Sequence, residues 1–264
     1  MPSDTNLCLA DGRFDARIEF RRPGGVFTPA GVETLTDETG YFWFFDPENI
    51  EVVLKVLDAC GAPFDRFWVF AAGLTDVETV MTVTDTLTGD VRSYTNPAGT
   101  AFRPILDTDA FATCPAAGGA GVQAADGGSQ SLLPAPSEIT ALPQPMETCA
   151  EGALCLQDQR FEATVTWATG SASGVAEGVG LTTESGYFWF FDAGNVEIVL
   201  KVLDACAPPF DRYWVFAAGL TDVDVTLSVR DMVTGEAKIY EHRGGGAFQP
   251  ILDTDAFATC DAAP

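Results

Sequence analysis

The chain contains the same domain-sized sequence twice. Residues 38–114 align without a gap with residues 184–260, and about two-thirds of the aligned positions are identical. Upstream, LCLADGRF (residues 7–14) matches LCLQDQRF (residues 154–161). Each unit spans roughly 110 residues, an ordinary domain size and too long for a solenoid repeat. We therefore predict two tandem domains, repeat 1 at residues 1–114 and repeat 2 at residues 149–264.

The segment between the repeats, residues 115–148, is rich in Gly, Ala, Ser and Pro and nearly free of aromatic residues. This composition is typical of a flexible linker with a stiffer end where the prolines lie. A linker of this length lets the two domains move independently of each other.

The hydrophobic pattern of each repeat predicts strands. Polar and apolar residues alternate in RFDARIEF (residues 13–20), and GYFWFFD, PEN and IEVVLKVLD form a hairpin pattern over residues 40–58. Turn signals separate about seven short strands, with one short helical turn expected at Asp107–Ala110. The prediction is an all-β fold made of two antiparallel β-sandwiches of immunoglobulin-like size, with a β-barrel as the alternative.

The aromatic segment GYFWFFD occurs at residues 40–46 and again, letter for letter, at residues 186–192. In a strand, Tyr41 and Trp43 point to one face and Phe42 and Phe44 to the other. A sandwich offers a strand one core face, so something else must cover the second face, or it is exposed. We expect the aromatic residues to fill the core and a second cluster.

Two alternatives remain for this second face. It is a protein-contact patch, or it is a platform on which sugar rings stack. The candidate platform residues are Tyr41, Trp43, Trp68, Tyr187, Trp189 and Trp214.

The seven cysteines follow the repeat, except for Cys149, which has no counterpart in repeat 1. A full set of four per repeat would give one short and one long pair, and the predicted disulfides are Cys60–Cys114, Cys206–Cys260 and Cys149–Cys155. Cys8 is then left without its partner. The alternative is a set of free thiols in a cytosolic protein; zinc is disfavoured because the chain has no CxxC pair and one histidine.

The overall charge excludes several kinds of partner. With 14 Lys and Arg against 38 Asp and Glu, the net charge of −24 repels nucleic acids and anionic membranes.

No apolar run approaches the roughly 18 residues of a membrane span. The polar start of the chain shows no signal peptide. Since the cysteine pattern favours an oxidising compartment, we expect a secreted or cell-surface protein whose export signal has been removed.

The sequence offers little for catalysis. Repeat 1 has no histidine, which excludes a Ser-His-Asp or Cys-His site in that unit, and no P-loop or HExxH motif occurs. The buried-looking Lys55 and Lys201 are expected to form structural ion pairs. We predict a protein that is not an enzyme.

Calcium is the candidate cofactor, at the paired carboxylates Asp107, Asp109, Asp253 and Asp255, although these lack the other ligands of an EF-hand loop.

The motifs LCL…RF, GYFWFF, KVLDAC, WVFAAGLT and PILDTDAFATC resemble a repeated module of secreted, multi-domain bacterial proteins without a named function. The resemblance covers nearly all of both units and implies an extracellular, non-catalytic β-domain. It implies nothing about ligands. The expected function is an adhesion or spacer module of a cell-surface or secreted bacterial protein. The alternative is a carbohydrate-binding module, and a protein or glycan is the expected partner.

Overall fold

In the computed structural model, residues 5–115 and 149–260 are described, and they form strands and turns without a helix. Repeat 1 contains β1 (Leu7–Leu9), β2 (Phe14–Arg21), β3 (Thr28–Pro29), β4 (Gly31–Thr34), β5 (Thr39–Trp43), β6 (Ile50–Ala59), β7 (Arg66–Gly73), β8 (Glu78–Asp85), β9 (Val91–Asn96) and β10 (Ile105–Phe111). Repeat 2 contains β11 (Leu154–Leu156), β12 (Phe161–Ala168), β13 (Ser173–Val175), β14 (Glu177–Gly180), β15 (Ser185–Trp189), β16 (Val196–Ala205), β17 (Arg212–Gly219), β18 (Asp224–Asp231), β19 (Ala237–His242) and β20 (Ile251–Phe257). The predicted linker, residues 115–148, lies outside the described residues from residue 116 onward, as do residues 1–4 and 261–264 at the outer ends of the predicted domains.

Each repeat forms two antiparallel sheets. In repeat 1, one sheet has the order β1-β2-β8-β9, with β3 also paired to β2, and the other has the order β10-β7-β6-β5-β4. Repeat 2 has the same arrangement, with β11-β12-β18-β19 plus β13 in one sheet and β14-β15-β16-β17-β20 in the other. We call β4–β7 with β10, and β14–β17 with β20, the aromatic sheets, because they carry the GYFWFF segments.

The predicted all-β sandwich class is confirmed, and the barrel alternative is wrong, because each of the four sheets in the described chain is open, with two edge strands. The expected hairpin also forms, with β5 antiparallel to β6. The described residues of each repeat form ten strands where about seven were expected. Several of the additional strands, such as β1, β3 and β4, have two to four residues, too few for the alternation of apolar and polar residues to show.

The core of each repeat lies between its two sheets. In repeat 1, Phe14 and Ile18 of β2 pack against Phe42 of β5 and Leu54 of β6, and all four side chains are buried. Phe42 and Phe44 of GYFWFF thus face this core, because alternate side chains of a strand point to the same face. Repeat 2 has an equivalent core.

Three disulfides are present in the described residues, and they join the predicted cysteines. Cys60–Cys114 and Cys206–Cys260 connect the end of the long central strand to the segment after the last strand of each repeat, and Cys149–Cys155 lies at the start of repeat 2. Cys8 has a free thiol. Three disulfides indicate an oxidising, extracellular environment. No helix in the described residues is long and apolar enough to cross a membrane.

The helical turn expected at Asp107–Ala110 is wrong. These residues belong to β10, which pairs with β7 and has an irregularity in register between Asp107 and Phe111. The local departure from strand geometry is therefore an irregularity in register that does not end the strand.

Candidate functional site

The outer faces of the two aromatic sheets pack against each other. A third apolar cluster joins the repeats, and its buried members are Tyr41, Ile50, Val53, Ala72, Leu74, Tyr187, Val196, Val199, Ala218 and Leu220. Strands β6 and β7 approach β16 and β17 across this interface. The second face of the GYFWFF strand is therefore covered by the other repeat. The linker would let the domains move independently, but in the structure a continuous buried cluster and direct hydrogen bonds join them.

Two buried lysines cross the interface in opposite directions. Lys55 Nζ of repeat 1 donates to Asn195 Oδ1 at 2.5 Å and to the carbonyl oxygen of Val196 at 3.0 Å. Lys201 Nζ of repeat 2 donates to Asn49 Oδ1 at 2.5 Å and to the carbonyl oxygen of Ile50 at 3.1 Å. The two sets of contacts are equivalent under the repeat alignment, so the interface has an approximate two-fold relation.

A glutamate lies behind each asparagine. Asn195 Nδ2 donates to Glu197 Oε1 at 2.5 Å, and Asn49 Nδ2 donates to Glu51 Oε1 at 2.7 Å. Both glutamates are 5% exposed, so their charge must be balanced from within the protein. Each asparagine side chain thus bridges the glutamate of its own repeat and the lysine of the other repeat.

Burial perturbs the ionisation of these groups. Burial lowers the pKa of Lys55, and the charge of Glu197 partly offsets the effect. Burial raises the pKa of Glu197, and Lys55 in turn opposes that shift. Lys201 and Glu51 show the same directions. Each lysine and glutamate therefore stabilise each other's charged form across the interface.

These lysines are poorly placed for chemistry. A lysine with a lowered pKa is a candidate nucleophile or base. However, Lys55 is 1% exposed and Lys201 is 2% exposed, and their ammonium groups already contact an asparagine and a carbonyl oxygen. The arrangement can hold two sheets in one register, and a substrate has no access to the amines. Within the described residues, the lysines do not contact a carboxylate directly, as the predicted ion pairs would require. Each lysine instead contacts an asparagine whose amide donates to a glutamate.

The structure divides the predicted aromatic platform into two groups. Tyr41 and Tyr187 are buried in the inter-repeat cluster, at 8% and 9% exposed, and Trp43 and Trp189 pack against it while half-buried. Their faces therefore contact protein, and they do not form one continuous exposed row with the remaining two tryptophans.

Trp68 and Trp214 belong to a partly exposed aromatic strip. The ring centroid of Trp68 lies 4.8 Å from that of Phe64 and 5.9 Å from that of Phe70. In repeat 2, Trp214 has the same neighbours, Phe210 and Phe216, at 4.9 and 6.1 Å. Phe64 and Phe210 are 52% and 54% exposed. We call each trio of residues, 64, 68 and 70 or 210, 214 and 216, the aromatic strip of its repeat.

The paired carboxylates proposed for calcium have local partners. Asp107 accepts a hydrogen bond from the Tyr94 hydroxyl at 2.8 Å, and Asp109 forms an ion pair with Arg66 at 3.2 Å. Asp253 accepts a hydrogen bond from Tyr240, and Asp255 pairs with Arg212. The described residues contain no group of three or more His, Cys, Asp or Glu side chains placed to hold a metal. Calcium binding at these aspartates stays a prediction.

A buried ion pair lies at the end of each sandwich, and the sequence pattern did not predict it. Arg13 contacts Asp85 at 3.1 Å and the carbonyl oxygen of Thr113, whose hydroxyl donates to Asp85 at 2.5 Å. Burial alone would raise the pKa of Asp85, but the hydrogen bonds from Thr113 and Arg13 outweigh it and hold the pKa below its ordinary value. Arg160 and Asp231 repeat the pair in the second domain. The sequence offered one indication of this pair, since the same arginine and the same aspartate occur in both repeats.

Comparisons of the chain with protein-family models, with curated proteins and with solved structures gave no match. Its function is therefore inferred from its own residues and their geometry.

Proposed function

We propose that this chain is a non-catalytic extracellular module that acts as a structural spacer or adhesion unit in a cell-surface or secreted bacterial protein. The observation that carries the proposal is the inter-repeat cluster. In this cluster, the apolar outer face of each aromatic sheet joins the two repeats into one unit.

The chemistry of the described residues supports the same proposal. The buried lysines and glutamates, whose pKa values burial shifts, already contact other groups within the protein. The disulfides and the high negative charge suit a protein that must stay folded and soluble outside the cell. A spacer needs a fixed shape, and two sandwiches locked through their sheets supply one.

Small-angle X-ray scattering of the full chain tests the spacer proposal. We expect one compact particle with the repeats in contact. A matched variant carrying both Ala72→Arg and Ala218→Arg introduces two large cations at buried positions of the interface, and it should give two separated bodies. Wild-type scattering that resembles two freely moving bodies would contradict the proposal.

A second candidate function, carbohydrate binding, rests on the aromatic strips. Half-exposed aromatic rings beside a tryptophan are suited to stacking on the apolar faces of sugars. The two strips carry the same three residue types at aligned positions, so a glycan with repeated units could bind both with a gain in avidity.

A glycan array, run with calcium and with a chelator, separates the two functions. The spacer proposal predicts no reproducible hit. The carbohydrate proposal predicts a hit that disappears when both Trp68→Ala and Trp214→Ala are present, while Trp43→Ala with Trp189→Ala serves as the control outside the strips. A hit lost with the chelator would add calcium to the site.

A further inference from the structure

We propose that the outer face of each aromatic sheet is self-complementary, so that its partner can be the same face on a second copy of this chain. The inter-repeat contact is then one case of a general pairing between these sheets. This inference goes beyond the spacer proposal, since it concerns association between chains.

The first support is the composition of the cluster. Its buried members form five pairs that the repeat alignment relates: Tyr41 and Tyr187, Ile50 and Val196, Val53 and Val199, Ala72 and Ala218, Leu74 and Leu220. Four of these pairs are identical residues, and the fifth exchanges one β-branched residue for another. The buried centre of each face therefore presents nearly the same apolar side chains to its partner, while the edge strand differs, with Glu33 in repeat 1 where repeat 2 has Val179.

The second support is the reciprocal polar network. Lys55 contacts Asn195 and Val196, while Lys201 contacts Asn49 and Ile50. In such an arrangement, a residue of one face contacts a different residue of the other, and the reverse contact is made as well. This is the pattern of an isologous interface, which two identical surfaces can form.

Like–like pairing would satisfy the lysine, asparagine and glutamate network of the interface. Each face carries one lysine, one asparagine, one glutamate and the acceptor carbonyl at residue 50 or 196. Two copies of the repeat 2 face would pair Lys201 of each chain with Asn195 and the Val196 carbonyl of the other. No buried charge would be left without its partner, so the cost of an unpaired buried lysine does not oppose the pairing.

In the wild-type chain, the linker favours pairing within one molecule. A tether raises the effective concentration of the second face to roughly the millimolar range. The wild type should therefore be monomeric at low concentration. Blocking one face should release the other, which then pairs with its equivalent on a second chain.

The test is the mass of three full-length variants by sedimentation equilibrium, over a concentration series up to about 1 mM, the range that a tether supplies. Ala72→Arg blocks the repeat 1 face, Ala218→Arg blocks the repeat 2 face, and the double variant blocks both. Each single variant should approach twice the mass of the monomer, and the double variant should remain monomeric. The control is Ser93→Arg, at an exposed position of β9, which should behave as the wild type.

Either single variant staying monomeric with a native circular dichroism spectrum would overturn the proposal. A dimeric double variant would overturn it too, because the dimer would then use another surface. If a single variant does not fold, the wild type decides. Two differently tagged wild-type chains are unfolded together in urea with their disulfides intact and refolded at a chain concentration above about 1 mM, where the tether no longer favours pairing within one molecule. Recovery of both tags in one complex supports the proposal, and separate recovery contradicts it.

Discussion

Replacing Lys55 by methionine removes one of the two charges that cross the inter-repeat interface while keeping the length of the side chain. Asn195 Oδ1 and the Val196 carbonyl oxygen lose their donor, and Glu197 loses the nearest charge of opposite sign. Two hydrogen bonds to a charged donor contribute about 1.5–3 kcal/mol each. The variant also avoids the cost of burying an ammonium group, so we expect a net loss of about 3 kcal/mol in the free energy of unfolding, the low end for breaking a buried pair.

The assay is urea unfolding of the full chain, followed by circular dichroism. Lys201→Met should cost about the same as Lys55→Met, because its contacts are equivalent. Lys238→Met is the control, since Lys238 is partly exposed and pairs with Glu236 at 3.4 Å; its change should stay within about 0.5 kcal/mol. A double-mutant cycle of Lys55→Met with Asn195→Ala should give a coupling energy of about 1–2 kcal/mol.

The loss should also depend on pH. Burial raises the pKa of Glu197 above its ordinary value of 4.5, and removal of Lys55 would raise it further. A glutamate whose folded pKa is raised takes up a proton on folding, so stability rises as the pH falls through the folded pKa toward 4.5. The cost of Lys55→Met should therefore shrink on acidification. A loss below about 0.5 kcal/mol at neutral pH, or full additivity with Asn195→Ala, would refute the cross-interface contact.

Three further changes test other parts of the structure. Asp85→Asn should cost about 3 kcal/mol at neutral pH, since it leaves Arg13 without its buried partner. Because the folded pKa of Asp85 lies below its ordinary 3.8, this difference should be lost as the pH falls below 3.8 in acid unfolding; a constant difference would contradict the pair. Replacing Cys60 and Cys114 by serine should cost about 4 kcal/mol by calorimetry, the chain-entropy value for a sequence separation of 54, and an unchanged melting temperature would contradict it. Trp43→Ala should cost about 3 kcal/mol, at the low end for a tryptophan because the ring is half-buried; an unchanged melt would show that the ring does not pack against the cluster.

The sequence was sufficient to predict the fold class because the evidence for it is local. Alternation in RFDARIEF identified the face of β2 that enters the core, and the repeat doubled every such observation. The cysteine pairs followed from comparing the two copies, since Cys60 and Cys114 each had a counterpart while Cys149 had none. Local patterns of this kind need no knowledge of how sheets are arranged in space.

The partner of the second aromatic face could not be predicted in the same way. Strand periodicity places Tyr41, Val53 and Lys55 on a common outer face, but it carries no information on what covers that face. A solvent-facing platform and a contact with the other repeat have the same pattern. The linker composition pointed to independent domains because it describes the tether alone, whereas the buried area of the facing sheets decides whether the tethered domains stay together.

The differences between the repeats show where the sequence is constrained. Strands β9 and β19, with exposed positions along their length, share one residue in six, the tyrosine at 94 and 240. Strands β6 and β16 differ at residues 50 and 52 alone among ten, although half of their side chains point away from the core of their own repeat. A face that packs against solvent is free to diverge, as β9 and β19 did. The centre of a face that packs against a copy of itself is not, because a change in one copy must fit the unchanged partner, whereas the edge strands β4 and β14 share no aligned residue. The retained lysines sharpen this constraint: shifting one sheet along the other would leave two buried ammonium groups without acceptors, so the same residues that join the faces also fix their register.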